Sequence, residues 1–222
     1  MRRTALCDRE LPSYTKGEEI FNMVTHIVGG GIAVLILVIS VLISVFNRNV
    51  WAVVTCALYG GSMIALYTVS SIYHGMHAGT GKKVMQVIDH CTIYALIAGT
   101  YTPILLIAVR PQNPIIAWSI FFAQWGLAAI AVTLTAIDLK KYQKFSMICY
   151  IGMGWCIVLV LKPALDIIGL TGFLWLLAGG IAYTIGAVLY GLGRKHKYMH
   201  SVFHIFVVIG SVFQFIAILY ML

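Results

Sequence analysis

Residues 51–74 read WAVVTCALYGGSMIALYTVSSIYH. The run contains no Asp, Glu, Lys or Arg and ends on a histidine. At 1.5 Å per residue, about 20 apolar residues in a helix cross the ~30 Å hydrocarbon core of a bilayer. A barrel strand needs only ~9–11 residues and alternates in polarity, which this run does not. A helix also closes its own backbone hydrogen bonds where no water is available. The stretch therefore predicts a membrane-spanning helix, with the polar residues Ser70, Ser71, Tyr73 and His74 gathered at one end.

Working outward, the same reading predicts seven spans, at about residues 20–45, 51–74, 87–109, 115–137, 145–162, 171–192 and 199–221. The fold class is all-α, a polytopic seven-transmembrane-helix bundle. Residues 1–17 read as a short cytoplasmic tail and 18–222 as a single membrane domain. Composition agrees: 61% of the 222 residues are apolar and 10% are charged, against about 45–50% and ~25% in soluble domains. That excess cannot be hidden in a soluble core of this size. It excludes a soluble enzyme, a nucleic-acid-binding domain and a disordered tail. The opening residues carry no early apolar stretch and do not read as a cleavable signal peptide. Five scattered cysteines (Cys7, Cys56, Cys91, Cys149, Cys156) form no CxxC pair and read as small buried thiols.

The net charge of +8 reads as topology, not as a nucleic-acid footprint. Arg2, Arg3, Arg9 and Lys16 of the tail fall on one side. With them fall Lys82 and Lys83 of the second loop, Lys140, Lys141 and Lys144 of the fourth, and Arg194, Lys195 and Lys197 of the sixth. Arg48, Arg110 and Lys162 fall on the other. Twelve against three predicts a cytoplasmic N-terminus and an outer C-terminus. This orientation differs from that of a G-protein-coupled receptor. Residues 199–222 also lack the lysine that a retinal protein requires. Ala178, Ala182 and Gly186, and the run Gly29-Gly30-Gly31, read as helix-packing faces. Trp51 and Trp175 read as interface anchors, and Asp138 and Asp166 as solvated loop acids.

All seven histidines (His26, His74, His77, His90, His196, His200, His204) fall at the cytoplasmic ends of spans or in cytoplasmic loops. Glu18, Glu19, Asp89 and Asp138 join them. Ionisable groups in or near an apolar layer are expensive and point to function. His200 and His204 stand at i and i+4, one turn apart on one face, as two ligands of one metal would. No glutamate lies between them as in a protease HExxH motif. Ser70 and His74 share the same spacing at the end of the second span, and Asp89-His90 opens the third. Antiparallel neighbours bring these ends to one depth. His74, His200 and His204 are then candidate nitrogen ligands of a catalytic metal that keeps an open position. Asp89 is the candidate base and Ser70 a hydrogen-bonding partner. Glu19, Asn22 and His26 form a stripe on the first span as supporting or substrate-contacting residues, and His90 joins that class. His77 and His196 read as headgroup contacts.

At these residues the sequence resembles the haemolysin III family, the bacterial branch of the progestin and adiponectin receptor superfamily, itself related to the alkaline ceramidases. The resemblance covers about residues 15–222. It is carried by Glu19-x-x-Asn22-x-x-Thr25-His26, Ser70-x-x-x-His74, Asp89-His90, Gly99-Thr100-Tyr101-Thr102-Pro103 and His200-Ser201-x-x-His204. It implies a seven-helix bundle with zinc held by His74, His200 and His204 near the cytoplasmic face. Asp89 matches the family aspartate that holds a water at the metal, and Ser70 the motif serine. The short tail differs from the receptor branch, and nothing in it suggests a hormone-binding module.

These readings lead to a zinc-dependent hydrolase of a lipid amide or ester in the bacterial inner membrane, with a membrane lipid as its partner and no nucleic acid. A ceramide-like amide follows from the family relation alone. Two other classes stand beside it: a membrane-state sensor with structural zinc, and a cytolytic or channel-forming protein. A haem protein is a weaker outsider.

Overall fold

The computed structural model describes residues 4–193 and 196–222, with the backbone alone at Cys7. Arg2, Arg3, Arg194 and Lys195, counted above for topology, lie outside the described residues. Among those described, the structure is all helical. After a 3-10 turn at Leu6–Asp8 come α1 (Lys16–Phe46), α2 (Val50–Gly75) and α3 (Thr80–Pro103), which runs on as a π-helix over Ile104–Val109. Then follow α4 (Pro114–Ile137), α5 (Gln143–Gly154), a 3-10 segment Cys156–Val160, α6 (Leu161–Leu192) and α7 (Met199–Leu219).

Local chemistry places the ends. Thr15 caps α1: its hydroxyl accepts the Glu18 N–H at 3.2 Å, and the Glu18 carboxylate accepts the Thr15 N–H at 2.8 Å. Asn49 and Asn113 accept the Ala52 and Ile116 N–H groups at the starts of α2 and α4, each at 3.1 Å. Pro114 opens α4, where a missing N–H costs nothing. Pro103 donates no hydrogen bond inside α3, and the helix widens directly after it: Arg110 N–H reaches back to Leu105 O at 2.8 Å. The Gly99–Pro103 motif is therefore largely architectural, and a Cβ on Gly99 would collide with the Ser62 side chain.

The bundle is apolar on the outside. Leu35, Ile27, Ile148 and Phe46 are 61%, 55%, 71% and 81% exposed. Water would not tolerate so continuous an apolar coat, and a bilayer requires it. Among the described residues, six helical stretches are long and apolar enough to cross: Lys16–Phe46, Val50–Gly75, Thr80–Val109, Pro114–Ile137, Gln143–Leu192 and Met199–Leu219. The protein is a polytopic helical membrane protein. The stretch Gln143–Leu192 covers what the apolar runs divide into spans 145–162 and 171–192. It is interrupted twice, by the 3-10 segment and by Gly169, whose φ of +66° and ψ of 174° leave the helical region.

α1 packs on α2 and α7, α2 on α3, α3 on α4, and α6 on α7. The main core joins α1, α2 and α7 through Ala33, Ile36, Tyr59, Met63, Tyr67 and Val207. A second lies between α3, α4 and α5 around Tyr94, Ala128 and Met153. Close approach is local. A Cβ on Gly29 would come within 2.9 Å of Tyr67, whereas Gly31 faces open space. On α6 the buried face includes Ala182 and Gly186 but also Gly172 and Gly179, with Gly179 tight against Gln214 of α7. Trp51 stands 41% exposed with the Arg110 guanidinium 4.1 Å above its ring. Cys56 and Cys149 are buried free thiols, and Cys91 and Cys156 are half-buried.

Three expectations need correction. α1 and α3 begin at Lys16 and Thr80, not at 20 and 87. Lys82 and Lys83 therefore belong to the first turn of α3 and not to a loop. His26 and His90 consequently sit about 15 Å along their helices, deeper than a helix end. Asp138 is not solvated: it is 3% exposed and accepts the N–H groups of Thr4 and Lys141 at 3.0 and 3.1 Å. Those backbone donors hold its carboxyl down at about 2, with Arg9 adding a smaller favourable charge. Arg9 itself donates to the Ile137 carbonyl at 2.9 Å, so the tail clips onto the C-terminal end of α4.

Candidate metal centre

His74 lies in the last turn of α2, and His200 and His204 lie in the first turns of α7. Because α2 and α7 run in opposite directions, the end of one meets the start of the other. All three imidazoles are buried, and one nitrogen of each lies within 4.8 Å of the others. It is the group among the described residues with the donor set to hold a metal ion. The Nε2 atoms of His200 and His204 are 3.0 Å apart, so the i, i+4 pair converges on one point.

The start of α7 is held by an unusual residue. Tyr198 adopts φ +61°, uncommon for a residue with a Cβ. Its N–H donates to Glu18 Oε1 at 2.7 Å. The acid that caps α1 thus also sets where α7 begins, two residues before His200.

Supporting contacts select the ring nitrogens. Glu19 Oε2 stands 2.6 Å from His74 Nδ1. A carboxylate only accepts, so Nδ1 carries the hydrogen and Nε2 is bare. That Nε2 is buried with no partner in the protein, as are the Nδ1 atoms of His200 and His204 and both ring nitrogens of His26. Buried polar atoms are almost always paired. An orphaned Nε2 beside two converging Nε2 atoms suits a ligand set, and the carboxylate behind His74 is the usual outer partner of a metal-bound imidazole. The residues present fit a zinc ion: three buried imidazoles, each with one nitrogen within 4.8 Å of the others.

His26 stacks on His204, with ring centroids 3.7 Å apart and 19° between planes, and meets Tyr67 edge-on at 5.1 Å. It buttresses a candidate ligand and lies outside the converging three. Asn22 presents Nδ2 3.4 Å from His74 Nδ1. Asp89 lines the same cavity as Ser70, His200 and His204. His90 turns elsewhere: Nδ1 donates to the Gln86 carbonyl at 2.8 Å, and Nε2 lies 3.1 Å from the Tyr190 hydroxyl on α6. Its Nδ1 is 4.0 Å from Asp89. His77 and His196 are exposed.

Two cavities meet at this layer. One, of about 160 Å³, extends from Asp89 and His204 to Gln214, bordered by apolar side chains of α3, α5, α6 and α7. Ten residues of α7 separate its ends, roughly 15 Å. The other, of about 600 Å³, lies between the tail at Glu10–Tyr14 and the residues Asp89, His90 and His200. Both touch Asp89 and His200, so the candidate centre lies between an apolar slot and a polar vestibule.

Sequence reasoning missed three contributors. Tyr14 lies nearly flat on His200, with centroids 4.9 Å apart and planes 21° apart, and burial pushes its hydroxyl above the ordinary range. Tyr190 meets His90 and His200 from α6. Lys82 reaches Glu19 at 2.7 Å. None stands in a histidine or acid motif, so spacing offered no signal for them.

Comparison with known proteins agrees with these motifs. The sequence model of the family described as haemolysin-III related matches residues 14–215. The chain is 36% identical to Hemolysin-3 of Bacillus cereus over 203 residues, 91% of each chain. It is 31% identical to the Hemolysin-3 homolog of Bacillus subtilis (strain 168) over 207 residues, 93% of this chain and 95% of the relative. More distantly, it is 26% identical to the human Monocyte to macrophage differentiation factor over 184 residues, 81% of this chain and 75% of the relative. A family match across most of the bundle, and two relatives above 30% identity over nine-tenths of the chain, show that this protein belongs to the haemolysin III family of the progestin and adiponectin receptor superfamily.

Proposed function

We propose that this protein is a zinc-dependent hydrolase of a membrane-borne lipid amide or ester. One observation carries the reading: one nitrogen of each of His74, His200 and His204 converges on a common point, and His200 and His204 line an apolar slot together with Asp89 and Ser70. His74, His200 and His204 hold the ion. Bound there, zinc supplies a Lewis acid that polarises the substrate carbonyl and acidifies the attacking water. The slot receives an acyl chain and brings the carbonyl to the histidine layer. Asp89 accepts the proton from the attacking water and returns it to the leaving amine or alcohol. Ser70 orients the Asp89 carboxylate through its hydroxyl. The vestibule under the tail receives the polar part of the lipid. Glu19 fixes the His74 ring, Asn22 borders it, and His26 buttresses His204. His90 lies at the vestibule wall.

The same reading takes the chain through the inner membrane seven times, with its N-terminus in the cytoplasm and its C-terminus outside. A straight helix of 50 residues, the length of Gln143–Leu192, would extend about 75 Å across a ~30 Å core. Its interruptions at Cys156–Val160 and Gly169 support a division into two spans. The lysine and arginine bias of the connections supports the orientation.

Metal analysis of the detergent-purified chain tests the reading, together with release of fatty acid from a panel of lipid amides and esters. About one zinc per chain, lost in His200→Ala/His204→Ala, together with turnover that stops in Asp89→Asn, is the expected result. Absence of zinc in protein never exposed to chelator overturns it. Vesicle leakage without turnover would replace it with the lytic reading.

A further inference from the structure

We propose that Lys82 is a positioning residue for the candidate metal centre, setting the ring hydrogen of His74 through Glu19. The metal arm of the inference rests on the zinc reading above; the ring-hydrogen arm does not.

A buried ammonium is costly unless it is paired. The Lys82 side chain is 7% exposed, on the first turn of α3. Its Nζ donates to Glu19 Oε1 at 2.7 Å and to the Met76 carbonyl, at the end of α2, at 2.9 Å. It also lies 5.3 Å from the centroid of the Tyr73 ring. Glu19 uses its second oxygen, Oε2, to accept from His74 Nδ1 at 2.6 Å. One carboxylate thus bridges a buried lysine and a buried histidine, joining α1, α2 and α3.

The bridge decides between two tautomers. Two groups face His74 Nδ1, and they ask for opposite states. Glu19 can only accept and requires a hydrogen on Nδ1, while the Asn22 amide Nδ2, 3.4 Å away, can only donate and requires Nδ1 bare. In the first state Nε2 is free to bind a metal. In the second, Nε2 carries the hydrogen and is blocked. The Glu19 side chain is 20% exposed and can turn outward once its buried cation is gone. The Asn22 contact then takes over. Lys82 thereby acts on Nε2 of a ring for which no contact of its own is needed.

The test uses the full-length protein with ¹⁵N-labelled histidine, stripped of metal. The His74 ring shifts are compared in the wild type, Lys82→Met, Glu19→Met and the double variant, which replaces the ion pair by apolar side chains of similar length. Zinc affinity by chelator competition is measured on the same four. The wild type is expected to hold hydrogen on Nδ1, and all three variants to gain the Nε2–H form. Zinc affinity is expected to fall 10–100-fold in each single variant, and no further in the double variant, because both act through one contact. Unchanged His74 shifts in Lys82→Met overturn the inference, even if its melting temperature falls. So do losses in the single variants that multiply in the double. If Lys82→Met does not fold, Lys82→Gln is read by the same criteria. A wild type that binds no zinc but shows the tautomer change retains the inference and removes the hydrolase reading instead.

Discussion

The two ends of the bundle handle polar groups differently. At the end away from the histidines, several polar side chains are matched, although Gln214 Oε1 is buried without a partner. Arg110 donates to the Leu106 carbonyl at 3.0 Å and covers Trp51, and Asn47 donates to the Leu222 carbonyl at 2.6 Å. Gln112 donates to the Pro163 carbonyl at 2.8 Å, and Asn49 and Asn113 cap helices. At the histidine end, buried nitrogens of His26, His74, His200 and His204 and the Asn22 oxygen have no partner. Matched polar groups close a helix end against lipid and water. The orphaned imidazole nitrogens gather at the candidate metal centre. Ionisable side chains gather at the histidine end, and several imidazole nitrogens there lack a partner in the protein.

The comparison is broken most severely at the ligands. His200→Ala/His204→Ala is expected to take zinc from about one per chain to almost none, measured by elemental analysis. Next, Asp89→Asn is expected to keep the metal and lower lipid-amide turnover by about 10²–10⁴. Loss of metal in that variant would make Asp89 a ligand and not a base.

The tail contact gives a smaller effect with a defined pH sign. Asp138 has its carboxyl lowered from 3.8 to about 2 in the folded chain. Its contribution is therefore complete above about pH 4 and is lost as pH falls toward 2. Asp138→Asn is expected to cost on the order of 1 kcal/mol near neutrality and to flatten the acid limb, read as melting temperature against pH. An unchanged acid limb would mean that the tail clip is dispensable. Smallest, Arg110→Met at the matched end is expected to cost about 0.5–1 kcal/mol through the lost ring contact, with zinc content unchanged. A loss of zinc there would show that the ends are coupled.

Much of the site was legible because its members sit in short local patterns. His200 and His204 are one turn apart and His74 closes the second apolar run, whereas Asp89, read as opening the third span, lies nine residues after the start of α3. The less legible residues depend on partners far along the chain. Lys82 meets Glu19 across 63 positions, and Asp138 meets Thr4 across 134. Read locally, one was a loop charge and the other a solvated acid; their burial reverses both. Tyr14 belongs to a polar tail without periodicity, and its stacking on His200 has no local signature. The late start assigned to α3 has a related cause. Thr80–Gln86 is too polar to stand out as a span, but its first turn is stabilised by the Lys82 contacts to α1 and α2.

Apolar run length by itself determined that this chain is helical and membrane-embedded, because no other backbone arrangement satisfies its hydrogen bonds in lipid at those lengths. Short-range spacing determined which histidines share a face. Tertiary structure decided which nitrogen of His74 is bare, which of the neighbouring histidines converge, and that a lysine stands behind the site. Each of those depends on the position of a carboxylate, carbonyl or ring from another helix. Hydrogen bonds and buried charges act over a few ångströms, and only packing sets those distances.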